Sequence, residues 1–373
     1  MTQMQTEVPI FDLPAQFEEE REELMEIVER VLASGAYVLA GDEVAALEEE
    51  VATFVGTDHA ITVNSGTDAL TIGLACLDIK PGDEVITPPN SFIASTGAIV
   101  HVGATPVFID VCDDQNMDPE KLESLITPKT KAIMPVHLTG RICDMDPIVA
   151  IAEKHGLKII EDAAQSMGSE YKGRKSGTFG DVGCFSCHPL KNMNACGDGG
   201  LITTNDSDIR DRAIRLRNHG MIDRNTALEF GFVSRMDNLQ AAILRLRLRH
   251  LPDVVARRRR NVEQYRAEID TDHVYIPPCL DHEFNTFVLF VAQLDRRDEL
   301  QAYLAERGIS TGIHYPVPIH LQPAARYLGH KAGDYPEVER QADRIISLPH
   351  NQNLSESQVS YVCEQINRFY MTG

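Results

Sequence analysis

Three short segments of the 373-residue chain hold residue types that could act together. Asn64-Ser65-Gly66-Thr67-Asp68 sets small residues and two hydroxyls ahead of a helical pattern. Backbone N–H groups can approach an anion there, and the helix dipole favours negative charge. The same residues make an ordinary helix N-cap, and the segment alone does not choose between the two. Glu161-Asp162-Ala163-Ala164-Gln165-Ser166 follows an apolar run ending at Ile160. An acid at the end of a buried strand is costly unless it meets a cation or strong donors. A protonated pyridine nitrogen would serve, and so would a helix cap or a salt bridge. Lys191 falls between the strand-like run around Gly183-Cys184-Phe185 and the turn Gly197-Asp198-Gly199-Gly200. Partial burial would disfavour its ammonium and free a nucleophilic amine. Taken alone, it reads as a surface lysine like most others.

The surrounding chain alternates short β-like and helical runs. Strands are expected at His59–Val63, Glu84–Thr87, Thr105–Ile109, Ala132–Val136, Leu157–Ile160, Val182–Phe185 and Gly200–Thr203. Helices are expected at Glu18–Ala33, from Gly41, and at Asp68–Leu77, Ala94–Val100, Pro119–Ile126 and Asp146–Lys154. The pattern predicts an α/β fold with a mostly parallel sheet and helices on both faces. Ligands collect at the carboxyl ends of such strands, where all three segments fall. An anion site, a strand-end carboxylate and a loop lysine together match the needs of pyridoxal 5′-phosphate (PLP).

A long helix is expected from Asp237 to Ile269, through Pro252, carrying Arg257 to Arg260 in a row. That run reads as a solvated face, with a phosphate grip as the alternative. Beyond Pro277-Pro278 the pattern becomes strand, helix, strand at Phe287–Gln293, Arg297–Arg307 and Thr311–His314, closed by a helix over Glu356–Phe369. The expected division is a large domain over 1–251 and a smaller α/β domain over 252–373.

Lys+Arg number 35 against 56 Asp+Glu, a net charge of −21. That balance argues against a nucleic-acid binder. A 43% hydrophobic content supports a substantial core. The eight cysteines are scattered, so they are expected reduced and mostly buried. Cys184 and Cys187 form a C-x-x-C within a strand-like run, read as a structural pair rather than a redox or zinc site. No secretory signal and no membrane span is expected, which makes the cytoplasm the default location.

The segments NSGTDAL (64–70), PGDEVITPPNSFIAS (81–95), IIEDAAQSMGSEYKGRKSGTFGDVGCFSCHPLKNMNACGDGG (159–200), RNHG (217–220), SRMDNLQAAIL (234–244) and TGIHYPVPIH (311–320) occur in this order. With them the chain resembles the DegT-type sugar aminotransferases, from about residue 9 to 369. The resemblance implies the aspartate-aminotransferase-like PLP fold type I. It implies that Lys191 binds the cofactor and moves a proton during transamination. By the same resemblance Asp162 pairs with the pyridine nitrogen, and Gln165 lies near the phenolic oxygen. Gly66, Thr67 and Ser186 hold the phosphate, and Phe92 stacks on the ring. His188 sits beside the cofactor loop, and His314 and His320 border the sugar pocket. The implied reaction moves an amino group from L-glutamate to a keto sugar, most simply a nucleoside-diphosphate-linked one, in amino-sugar biosynthesis. A free keto-sugar acid or a keto-cyclitol is the alternative acceptor. A PLP-dependent sugar dehydratase and a non-catalytic regulator are the rival readings. The dehydratase relatives carry histidine where Lys191 stands. The resemblance also implies a homodimer with its site between subunits. One position departs: where many members read G-[FY]-N-x-R-M, this chain reads Gly231-Phe232-Val233-Ser234-Arg235-Met236. Val233 cannot make the inter-subunit phosphate contact of that asparagine, so either Ser234 or Arg235 replaces it or the phosphate grip is weaker.

Overall fold

A computed structural model describes residues 7–36 and 41–372. Helices α1 (Leu13–Ser34) and α2 (Asp42–Val55) precede β1 (His59–Val63), α3 (Gly66–Cys76), β2 (Glu84–Thr87), α4 (Ile93–His101) and β3 (Thr105–Phe108). Then come α5 (Pro119–Leu122), β4 (Thr130–Ile133), α6 (Met145–His155) and β5 (Lys158–Asp162). A small hairpin, β6 (Glu170–Tyr171) and β7 (Arg174–Lys175), leads to β8 (Val182–Ser186), β9 (Gly200–Thr204) and α7 (Ser207–Leu216). A second hairpin, β10 (Met221–Asp223) and β11 (Thr226–Ala227), precedes α8 (Asn238–Glu268). The chain ends with β12 (Val274–Tyr275), β13 (Glu283–Phe284), β14 (Phe290–Leu294), α9 (Arg297–Ala305), α10 (Pro336–Ala342), β15 (Ile345–Leu348) and α11 (Glu356–Thr372).

Within the described residues the main sheet has the order β1-β9-β8-β5-β4-β2-β3. Pairing is parallel from β8 through β5, β4 and β2 to β3, whereas β9 runs antiparallel to both β8 and β1. The ends of β1, β2, β5 and β8 therefore share one edge, and β9 starts there. Gly200 pairs with Val63 on one side and with Ser186 on the other. A Cβ on Gly200 would meet the Ser65 carbonyl oxygen at 2.3 Å, so this close approach needs glycine.

Period-two alternation packs both faces of the sheet. Cys184, Ile160, Val182 and Ile202 join Leu70, Ile72 and Leu74 of α3 on one face. Phe185 and Leu201 join Val44, Leu47 and Val51 of α2 and Leu244 and Leu248 of α8 on the other. A separate cluster joins Val262 and Tyr265 of α8 to Phe290, Ile346, Leu348 and the α11 residues Val359, Val362 and Ile366. The boundary expected after 251 thus falls inside one unbroken helix. Pro252 removes one helical N–H, but Leu248, Leu251 and Val255 are buried around it.

The structure revises several sequence expectations. β4 ends at Ile133 rather than Val136, which makes only an isolated bridge with Asp162. The strand expected from Phe287 starts at Phe290, because Phe287 has φ +49°. Thr311–His314 forms no strand, only a bridge from Gly312 to Ser347. The arginine run is not a solvated face. Arg257 pairs with Glu19 and Asp253, and Arg259 donates to the Asn285 carbonyl. Arg258 is buried, donating to Gln352 Oε1 and the Val288 carbonyl, and burial lowers its guanidinium to about 10. Cys184 and Cys187 are both buried and free.

Candidate active site

At the shared strand edge lies a cavity of about 470 Å³ lined by Ser65, Gly66, Thr67, Phe92, Asp162, Gln165, Ser186, His188, Lys191 and His314. Nine of the ten residues expected at the site therefore line one space, and Lys191 and Asp162 share it.

The N-cap reading of the first segment holds, and the cap leaves donors that an anion could use. Ser65 caps α3, its Oγ accepting the Asp68 N–H at 3.1 Å, and its hydroxyl proton remains free to donate. The first-turn N–H groups of Gly66 and Thr67 have no partner within the helix. A Cβ on Gly66 would lie 2.7 Å from Ser186 Cβ, so glycine lets β8 press against the start of α3. These neutral donors at a helix N-terminus suit a phosphate.

Asp162 ends β5 and is buried. Its Oδ2 accepts the Ser95 hydroxyl at 2.6 Å and its Oδ1 accepts the Ala164 N–H at 3.2 Å. Burial still pushes its carboxyl up, against the pull of these donors and of Lys191. A ring cation would relieve that cost. The neighbouring Glu161 faces the other way. It is fully buried and accepts the N–H groups of Gly177, Phe179 and Gly180 and the Nε2 of His137. His137 Nδ1 accepts the Cys143 N–H, which leaves its proton on Nε2.

Lys191 follows a turn in which its N–H donates to the His188 carbonyl. Asn192 anchors that turn by donating to the Thr286 carbonyl at 2.9 Å. Burial lowers the Lys191 ammonium to about 8, with Asp162 pulling it back up. On the order of a tenth is then neutral amine at pH 7. The Gln165 Oε1 accepts the Thr139 N–H at 2.8 Å, which turns its amide N–H₂ to the cavity. Phe92 stands 55% exposed, its ring 5.9 Å from that of Tyr315.

His188 lies on the rim, its Nδ1 accepting the Leu190 N–H. His314 Nδ1 bonds to Ser347 Oγ at 2.7 Å, and burial and Lys191 lower its pKa. His320 does not reach the cavity. It is buried beside Phe108 and Tyr335, and its Nε2 bonds to Glu339 Oε1 at 3.0 Å. That carboxylate also accepts the Gly333 and Tyr335 N–H groups, so His320 is held in a local loop clasp. The sequence reading missed Ser95, Tyr315 and Ser347. Ser95 and Tyr315 lie inside segments quoted for the resemblance, but no spacing rule marks a lone serine or tyrosine.

At the departing position, Val233 is 57% exposed. Ser234 is fully buried, its Oγ accepting the Asn64 N–H at 3.2 Å, and Arg235 donates to Asn218 Oδ1. Ser234 is thus committed within its own chain, next to the cradle at residues 65–67.

The profile of the DegT/DnrJ/EryC1/StrS aminotransferase family matches residues 18–367. The chain belongs to this family of aminotransferases. It is 41% identical to the "pleiotropic regulatory protein" of Geobacillus stearothermophilus, over 97% of this chain and 98% of that one. It is also 41% identical to the dTDP-3-amino-3,4,6-trideoxy-alpha-D-glucose transaminase of Streptomyces venezuelae, over 97% of this chain and 96% of that one. The crystal structure of S. venezuelae DesV in complex with a ketimine intermediate superposes with a TM-score of 0.95 at 41% identity, covering 97% of this aminotransferase and 98% of DesV. The fold is accordingly that of the PLP-dependent aminotransferases, and the chain is an enzyme of that class.

Proposed function

We propose that this aminotransferase uses PLP to move an amino group from L-glutamate to a nucleoside-diphosphate-linked keto sugar, in amino-sugar biosynthesis. One observation carries the cofactor assignment: a helix N-terminus with free hydroxyls, a buried carboxylate and a lysine near pH-neutral pKa converge on one cavity. The acceptor class rests on the likeness to a dTDP-sugar transaminase. In this reading Ser65, Gly66, Thr67 and Ser186 hold the phosphate, and Asp162 keeps the ring nitrogen protonated. Phe92 covers one ring face, and Gln165 donates to the phenolic oxygen. When bound, the cofactor supplies the electron-withdrawing ring that acidifies the donor's Cα–H. Lys191 Nζ would take that proton from Cα and deliver it, on the same face, to the cofactor's C4′. His188 and His314 offer ring nitrogens to the acceptor's hydroxyls.

A homodimer completes the site. Among the described residues no arginine lines the cavity, although a phosphate and a sugar nucleotide both bring negative charge. An apolar patch of Ile222, Leu228, Phe230, Phe232 and Val233 is exposed around the β10–β11 hairpin, with Phe230 wholly in solvent. A patch of that kind marks an interaction surface. Residues 252–373 act as the smaller domain that frames the mouth. No described helix is long and apolar enough to cross a membrane, and the proposed location is the cytoplasm.

A panel of keto sugars offered with glutamate, read by mass, tests the reaction. Formation of 2-oxoglutarate with a sugar-bound amine supports it. Ammonia release would favour the dehydratase, and no turnover with any of these keto sugars would overturn the proposed acceptor class.

A further inference from the structure

Phe92 is the N-cap of α4, and Ser95 lies in its first turn. Both line the cavity. Ser95 is buried, and its Oγ stands 2.6 Å from Asp162 Oδ2 and 3.3 Å from the Phe92 carbonyl. A hydroxyl has one proton to give. The short contact to a carboxylate is the stronger of the two, because charge assistance roughly doubles such a bond. No side chain caps α4, so the positive end of its dipole is left within a side chain's length of Asp162. The same helix start thus presents both the ring-covering Phe92 and a donor to the ring-facing acid.

We propose that Ser95 is a positioning residue: its hydroxyl holds the Asp162 carboxylate ionised and oriented toward the nitrogen of the bound cofactor ring. The inference rests on the reading that PLP occupies this cavity. The carboxylate has one protein donor on each oxygen, Ser95 on Oδ2 and the Ala164 N–H on Oδ1. Without Ser95, Oδ2 loses its donor inside a buried site, where desolvation favours the neutral acid. A neutral Asp162 would no longer favour a protonated ring nitrogen. The other groups facing this carboxylate do not replace the hydroxyl. Lys191 acts across the cavity, and His137 is committed to Glu161. The Cys184 thiol and the Tyr315 hydroxyl are both held neutral by burial. Glu161 is saturated by its own four donors.

The test uses cofactor-free protein carrying [4-13C]aspartate, with the Asp162 signal assigned by its absence in Asp162→Asn. Ser95→Ala is expected to move the Asp162 titration upward by on the order of one pH unit, and Ser95→Thr, which keeps the hydroxyl, to leave it near the wild-type position. Coincident wild-type and Ser95→Ala titrations would overturn the proposal, as would a Thr variant that behaves like Ala. In protein loaded with 15N-labelled PLP, the ring nitrogen should lose its proton at lower pH in Ser95→Ala than in wild type. An unchanged ring nitrogen in the face of a shifted Asp162 would overturn the link to the cofactor. Failure of wild type to take up PLP would instead overturn the reading of the cavity, while the cofactor-free titration still decides on Ser95.

Discussion

Ser347, in the middle of β15, holds His314 by a 2.7 Å hydrogen bond to Nδ1. Two residues before His314 the backbone is tied to the same serine, since Gly312 and Ser347 exchange N–H and carbonyl in both directions. Ser347 is fully buried, so the ring of His314 is oriented by the C-terminal sheet and its Nε2 is left for the cavity. The bond on one ring nitrogen sets what the other can do. Ser347→Ala should therefore lower kcat with the keto-sugar acceptor by about 10-fold or more, because loss of orientation is costly at a reacting centre. Ser347→Thr should retain most activity. Histidine 15N spectra should show a changed His314 tautomer balance in the alanine variant only.

The lowered pKa of Lys191 makes a stability prediction. Its ammonium is favoured in the unfolded chain, where the pKa is ordinary, and disfavoured in the fold, where burial lowers it to about 8. Between those values the unfolded state binds the extra proton, so stability rises with pH. Lys191→Met in the cofactor-free protein should be more stable than wild type by on the order of 1–3 kcal/mol at pH 7. The gap should close as pH rises from about 8 toward the ordinary lysine value. Urea denaturation at several pH values measures it.

Gly66→Ala places a methyl 2.7 Å from Ser186 Cβ, between the two sides of the anion cradle. Overpacking of this kind costs about 1–3 kcal/mol. The expected result is a PLP dissociation constant raised by roughly 5- to 150-fold at unchanged far-ultraviolet dichroism, since 1.4 kcal/mol is a factor of ten. Equilibrium dialysis reads it.

Phe230 is fully exposed beside Leu228, Phe232 and Val233. Phe230→Glu should shift the protein to monomer in sedimentation velocity at micromolar concentration. It should also reduce activity while leaving the fold of the monomer intact. Retention of a dimer would place the subunit interface elsewhere.

The strands that build the site were legible because their residues obey the two periods of packing. His59–Val63 and Glu84–Thr87 fall where the apolar runs put them, and both ends of α8 fall within a residue of expectation. The C-terminal half was less legible, for physical reasons. β12 and β13 are two-residue strands with no periodicity to read. Phe287 leaves the strand region by a local positive φ that no pattern announces. The arginine run looked solvated because charge was its strongest signal. The fold instead buries Arg258 on carbonyls from residues about thirty positions away. At the site, neither the strand-end Asp162 nor the loop Lys191 was distinctive alone; their joint placement at the strand ends pointed to one space, and both line one cavity. The place of His320 was not legible, because only tertiary structure shows Glu339 claiming its ring.

The most direct measurement is borohydride reduction of the protein after incubation with PLP, followed by peptide mapping. The account predicts one phosphopyridoxyl group, on Lys191. A label on any other lysine, or none, would contradict it.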